Sequence, residues 1–142
     1  KGASMEPNFE DHEYLIVDEI TYRLREPARG EIVVFRPPAS TNQYYIKRIV
    51  GMPGEEVSVR GERVYIDGKL LDEAAYLPSG LATYGEGIVL LKNNEYFVMG
   101  DNRTASLDSR SFGPIVRDNI IGRTVFRGWP YDRIEWFEAP QY

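Results

Sequence analysis

The chain has no cysteine and one histidine, His12, among its 142 residues. The first lack excludes disulfides, thiol nucleophiles and every cysteine-based zinc site. The second excludes HExxH and any other site built on two imidazoles, and no metal or other cofactor is expected. A serine activated by histidine would have to use His12; otherwise the base is a lysine or a carboxylate. Long apolar runs are missing too. Ile32-Val33-Val34-Phe35 and Ile88-Val89-Leu90-Leu91 fall far short of the roughly 18 residues of a spanning helix. Basic charge is in deficit, with 17 Lys and Arg against 22 Asp and Glu and a net charge of −5, so nucleic acid is not an expected partner. The length fits one domain spanning residues 1–142, since a typical domain holds about 150 residues.

Thirteen glycines, nine prolines and 13% aromatics, spread along the chain, suit short strands and many turns. Tyr14 to Asp18, Glu31 to Arg36, Tyr44 to Val50, Glu56 to Arg60, Val64 to Asp67, Ile88 to Leu91, Tyr96 to Met99, Ile120 to Arg127 and Ile134 to Phe137 are β-branched or aromatic runs. Gly, Pro, Asn or Asp bound them. Helical periodicity over ten or more residues is absent, and the fold expected is all-β with little helix. Arg60-Gly61-Glu62-Arg63 reads as a hairpin, and Asp67-Gly68 as a second tight turn. Ser79 to Gly87 and Pro37 to Asn42 read as loops, the first of them flexible.

Three blocks carry residue types suited to chemistry. In Tyr44-Tyr45-Ile46-Lys47-Arg48-Ile49-Val50, alternation puts Lys47 on the face of Tyr45 and Ile49, and Arg48 on the face of Ile46 and Val50. Either Lys47 snorkels from an edge strand, or its apolar neighbours desolvate it and lower its pKa into the range of a general base. In Gly2-Ala3-Ser4-Met5-Glu6-Pro7, Ser4 is either a turn residue or an exposed hydroxyl whose own N–H can face an oxyanion. The third block, Tyr96 to Gly113, runs from a strand into a loop of alternating charges and hydroxyls. It is either an ordinary surface loop or one in which Asp108 and Arg110 pair along an extended segment with Ser106 on the same side.

Ser4-Met5-x-Pro7, the strand Arg29 to Phe35, Tyr45 to Glu55 and Gly100-Asp101-Asn102-Arg103-x-x-Ser106-x-Asp108-Ser109-Arg110-x-Phe112-Gly113 together resemble, in order, the motifs of type I signal peptidases. Ile120-x-Gly122 through Trp129-Pro130 resembles that family's closing segment. The resemblance implies coiled antiparallel sheets, in the fold shared with the peptidase domains of SOS-type repressors. It implies a membrane-associated serine endopeptidase that removes signal peptides from exported preproteins after small, Ala-x-Ala-like residues. Ser4 would be the nucleophile and Lys47 the general base, with Ser106 orienting the amine and Asp108 and Arg110 holding the loop. Met5, Phe9, Tyr45 and Ile46 would shape shallow substrate pockets, and His12 would be a surface residue. Residues 56–95 would form a short, variable, β-rich cap, and activity would rise on an alkaline limb set by Lys47.

The resemblance also sets the expected location, at the plasma membrane with the catalytic domain on its extracytoplasmic face. Lys1 in place of Met suggests an excised piece whose anchoring segment lies upstream, and weak activity on preproteins is expected of it. Gly2 stands where some relatives carry a serine that donates to the oxyanion, leaving backbone donors only in this segment. Phe126, Trp129, Tyr131, Trp136 and Phe137 are either core aromatics or residues of a membrane interface. Two other functions fit less of the pattern. A self-cleaving Ser/Lys domain of an SOS-type repressor would lack the Gly100–Gly113 block, and a β-rich binding module would keep the fold without activity.

Overall fold

The structure, a computed structural model, describes residues 14–38, 43–77, 83, 85–104, 106–129 and 135–136. In chain order the strands are β1 (Tyr14–Asp18), β2 (Ile32–Phe35), β3 (Tyr45–Gly51), β4 (Glu56–Arg60), β5 (Arg63–Ile66), β6 (Lys69–Leu70), β7 (Gly87–Leu90), β8 (Glu95–Met99), β9 (Ile115–Val116), β10 (Ile120–Trp129) and β11 (Glu135–Trp136). They form two antiparallel sheets. The larger has the order β1-β10-β2-β3-β8-β9, with β11 beside β10, and the smaller has the order β6-β5-β4-β7.

Period-two alternation in the central strands builds two cores, one on each face of the larger sheet. Val33 and Phe35 of β2, Ile49 of β3, and Tyr96 and Val98 of β8 pack on one face with Tyr22, Ile115 and Ile120. Val50, Phe97 and Met99 point the other way and meet Val57, Val59, Val64 and Ile66 of the smaller sheet, together with Leu91. Each large aliphatic side chain buried this way contributes about 1.5–3 kcal/mol. Strand β3 is therefore covered on both faces.

The all-β expectation holds, and among the described residues helix is confined to single turns: α1 (Thr21–Leu24), α2 (Ser109–Phe112) and a 3-10 turn at Arg117–Asn119. These are too short for any 3.6-residue pattern to declare itself. Asp18 caps α1, its carboxylate accepting from the N–H groups of Ile20 and Thr21 and from the Thr21 hydroxyl. Both expected tight turns form: Arg60 pairs with Arg63, and Asp67 and Gly68 take φ of 51° and 83° between β5 and β6. The two-residue strands β6 and β9 carry too little sequence to be anticipated. Within the anticipated loops, Pro37 and Pro38 follow the end of β2, residues 83, 85 and 86 lie outside regular structure, and Gly87 opens β7. Residues 39–42, 78–82 and 84 lie outside the described residues.

Candidate active site

Lys47 does not sit on an edge strand. It lies in β3, paired through Val33 to β2, while the next residue, Arg48, pairs with Met99 of β8. Both basic residues are buried, Lys47 at 4% and Arg48 at 5% exposure. Alternation sends them to opposite cores, and each meets a different solution to its desolvation.

Arg48 is neutralised by a full charge. Its Nε and Nη2 donate to the two carboxylate oxygens of Asp101 at 2.9 and 2.8 Å, and its Nη1 donates to the Gly30 carbonyl. Its guanidinium carbon also lies 4.0 Å from the centroid of the Tyr76 ring. Lys47 instead meets a hydroxyl: Nζ donates to Ser106 Oγ at 3.1 Å, and that hydroxyl donates to Asp108 Oδ2 at 2.8 Å. The Tyr45 ring centroid lies 5.7 Å from Nζ, and Tyr45 in turn packs against Phe35 and Phe112.

Burial pulls the Lys47 pKa down to about 8. Asp108 and Asp101 oppose that fall, and Arg110 adds to it. The amine therefore has a minor neutral fraction near physiological pH and becomes mostly neutral above about pH 8. With one N–H given to Ser106, its lone pair remains available to another donor.

Asp108 is fully buried and anchors the whole loop. Its carboxylate accepts from Arg110 Nε and Nη2, from the backbone N–H groups of Gly100 and Arg110, and from Ser106. Burial pushes its pKa up, but the Arg110 hydrogen bonds and charge, with Gly100 and Ser106, outweigh that and hold it below the usual carboxylate range. The Asp108–Arg110 pair forms as anticipated, but by a different local geometry. Asp108 is extended and caps α2, so Arg110 is already helical, and the i to i+2 pair closes across the cap. Ser109 Oγ accepts from the Val98 N–H, which ties α2 to β8.

Of the candidate residues, the structure brings together Lys47, Ser106, Asp108, Arg110 and Tyr45. Ile46 is on the opposite face of β3, paired with Val34. Ser4, Met5, Phe9 and His12 lie outside the described residues, as do Tyr131 and Phe137, and the side chains of Phe126, Trp129 and Trp136 are likewise not described. Asp101 and Arg103 belong to the quoted motif but were given no role from sequence. Asp101, like Asp108, is fully buried, and Arg103 is 2% exposed. A charged residue in a glycine-bounded loop reads as solvated until its burial is seen.

No cluster of three or more potential metal ligands occurs among the described residues. None of their helices is long and apolar enough to cross a membrane.

An antiparallel β scaffold that buries a lysine and draws its pKa down defines a site with the chemistry of a general base. Comparison with known proteins narrows that chemistry. Residues 1–129 match the family model described as "Signal peptidase, peptidase S26". The chain is 43% identical over 138 residues to a probable signal peptidase I-2 of Synechocystis, covering 94% of this chain and 62% of that protein. It is 42% identical over 149 residues to a signal peptidase I of Leptolyngbya laminosa, covering 99% and 72%. The crystal structure of a signal peptidase I from Enterococcus faecalis superposes with a TM-score of 0.59 at 29% identity, covering 70% of this chain and 97% of that one. The chain belongs to the signal peptidase, peptidase S26, family of serine endopeptidases.

Proposed function

We propose that this chain is the catalytic domain of a membrane-associated endopeptidase that cuts signal peptides from exported preproteins after small, Ala-x-Ala-like residues. One observation carries the mechanism: Lys47 is buried with its pKa drawn down to about 8 and its amine held at 3.1 Å from Ser106 Oγ. That is the condition a lysine needs to work as a base without a histidine.

Neutral Lys47 takes the proton of the Ser4 hydroxyl as Ser4 Oγ attacks the scissile carbonyl, and the Ser4 N–H helps hold the oxyanion. The lysinium then gives that proton to the departing amine as the peptide C–N bond breaks. Water, deprotonated by the same lysine, hydrolyses the acyl-serine, and the proton returns to Ser4. Ser106 keeps the amine pointed through this cycle, and Asp108 with Arg110 holds Ser106. Met5, Phe9 and Tyr45 shape the shallow pockets for the substrate, which lies extended along the strand before Lys47, while Ile46, on the opposite face of β3, takes no part in them.

Residues 1–142 act as one catalytic domain with 56–95 as a cap. The partners are signal peptides and the membrane surface, and the net charge of −5 speaks against nucleic acid. Family membership supports a place at the plasma membrane, with the domain on its extracytoplasmic face and an anchoring segment upstream.

The test is turnover of a fluorogenic Ala-x-Ala peptide by the unaltered chain, Ser4→Ala and Lys47→Ala. Loss in both variants supports the dyad. Turnover indifferent to both substitutions excludes it, and no turnover by any of the three leaves a non-catalytic β-rich module as the better account.

A further inference from the structure

The smaller sheet reaches the Lys47 loop through one buried side chain. Arg103 follows Gly100 by three residues and is 2% exposed. Its Nε donates to the Gly100 carbonyl at 2.6 Å, its Nη1 to Glu73 Oε1 and Thr83 Oγ1 at 3.1 Å each, and its Nη2 to Glu73 Oε2 at 2.7 Å. Glu73 and Thr83 both belong to the connection between β6 and β7. Tyr76, in the same connection, donates its hydroxyl to Glu73 Oε2 at 3.1 Å and lies against Arg48, the neighbour of Lys47 in β3.

Gly100 is the junction. Its carbonyl accepts from Arg103, while its N–H donates at 3.0 Å to Asp108 Oδ2, the same oxygen that accepts from Ser106. Hydrogen bonds therefore run without a break from Glu73 through Arg103, Gly100, Asp108 and Ser106 to Lys47 Nζ. A buried guanidinium and carboxylate lose several kcal/mol of hydration each, and well-packed apolar side chains of similar volume often stabilise a fold as well or better. Stability alone is thus a poor reason for this pair, whereas fixing one backbone position against another is a use for which a planar, four-bonded guanidinium suits.

We propose that Glu73 is a positioning residue for the reaction: through Arg103 and Gly100 it holds the Ser106–Asp108 arm against Lys47, so that the smaller sheet sets the reactivity of the lysine. This rests on Lys47 being the general base. The charges that act on Lys47 are Asp108, Arg110 and Asp101, the last of them paired with Arg48, and the Ser106 hydroxyl and the Tyr45 ring lie against its amine. Glu73 acts on it by fixing this arrangement. Loosening the arm admits water to the amine and returns its pKa toward the ordinary value.

The experiment follows the Lys47 Cε resonance by 13C NMR against pH in the full chain, with assignment by its loss in Lys47→Met. This readout needs no substrate. In the unaltered chain the midpoint is expected near 8. Glu73→Gln is expected to raise it by about one unit, to lower kcat on the Ala-x-Ala peptide at pH 8 about tenfold, and to leave KM in place. Glu73→Asp, which keeps the charge, is expected to stay nearer the unaltered profile.

A folded Glu73→Gln with the original midpoint and kcat overturns the coupling, even if its melting temperature has dropped. If Glu73→Gln does not fold, Thr83→Val loses only the one hydrogen bond that the Arg103 guanidinium donates to the Thr83 hydroxyl, and leaves the ion pair in place. It is expected to move the midpoint in the same direction by less, and an unmoved midpoint in that variant overturns the proposal. A midpoint near 10.5 in the unaltered chain instead defeats the assignment of Lys47 as base, whatever Glu73 does.

Discussion

Lys47 Nζ and Ser106 Oγ, 59 residues apart in sequence, are joined by a hydrogen bond of 3.1 Å, and the Ser106 hydroxyl donates its own hydrogen bond to Asp108. This polarity leaves Ser106 a pure acceptor toward the amine, so its contribution is orientation. Ser106→Ala should lower kcat for peptide cleavage by about 10- to 100-fold with KM nearly unchanged, as expected when a base is misdirected and substrate binding is untouched. Ser106→Thr should retain more activity than Ser106→Ala, because the acceptor is preserved. Equal loss in both would mean that the site responds to volume and not to the hydrogen bond.

Lys47 gives two linked pH effects of known sign. With Lys47 as the proposed base, activity requires the neutral amine, so kcat/KM should rise with pH toward a limb near 8, and a flat profile from about pH 6 to 9 would contradict a lysine base. Stability follows the same group. Its folded pKa is depressed, so between about 8 and 10.5 the unfolded chain binds more protons and stability rises with pH through that window. Below it, the buried amine costs on the order of 3 kcal/mol. Lys47→Met should therefore stabilise the protein against urea at pH 7 by up to about that amount, a gain that shrinks between about pH 8 and 10.5 and is gone above it. A variant less stable than the parent at pH 7 would show that the amine is not desolvated.

The sequence showed Lys47 and Arg48 on opposite faces of a strand because period-two alternation is a local property. It left open whether either face was covered, since coverage of β3 depends on β2 and β8 arriving beside it and on the smaller sheet closing over Val50. The spacing of Asp108 and Arg110 allowed a pair along an extended segment, beside the alternative of an ordinary surface loop. The cap geometry that joins them was hidden because α2 is a single turn. Arg103 and Glu73 lie 30 residues apart, one in a loop of charges and hydroxyls and the other within the β-rich stretch 56–95, and only the tertiary fold turns two ordinary charges into one pair. Family resemblance suggested the roles proposed for Ser4 and Lys47, and the structure supplied what lowers the pKa of Lys47.

Arg48 and Asp101 make a prediction of opposite character to that for Lys47. Their two hydrogen bonds are buried, with Asp101 fully enclosed. Asp101→Leu would strand a guanidinium in the interior and should cost about 3–5 kcal/mol in urea unfolding. Adding Arg48→Met should recover most of that loss, because the uncompensated charge goes with it. If the double variant is as unstable as the single, the Gly30 and Tyr76 contacts of Arg48, and not its charge pairing, carry the effect.

Gly122 tests how closely β10 must approach β1. A Cβ built there falls 2.5 Å from the Asp18 carbonyl oxygen and 3.0 Å from Val17 Cγ1. The obstacle is backbone, so relief requires β1 to move away from β10 just where Asp18 caps α1 and pairs with Arg123. Gly122→Ala should therefore cost about 2–4 kcal/mol, at the upper end for a one-carbon change. Gly54→Ala is the informative control, since its Cβ meets nothing within 4 Å and only its φ of +83° resists the substitution. That backbone penalty is expected at about 1 kcal/mol. Urea midpoints of the two variants should thus differ clearly, with Gly122→Ala the lower. Equal midpoints would mean that β1 yields freely, and the close contact at Asp18 would then not be what demands glycine at position 122.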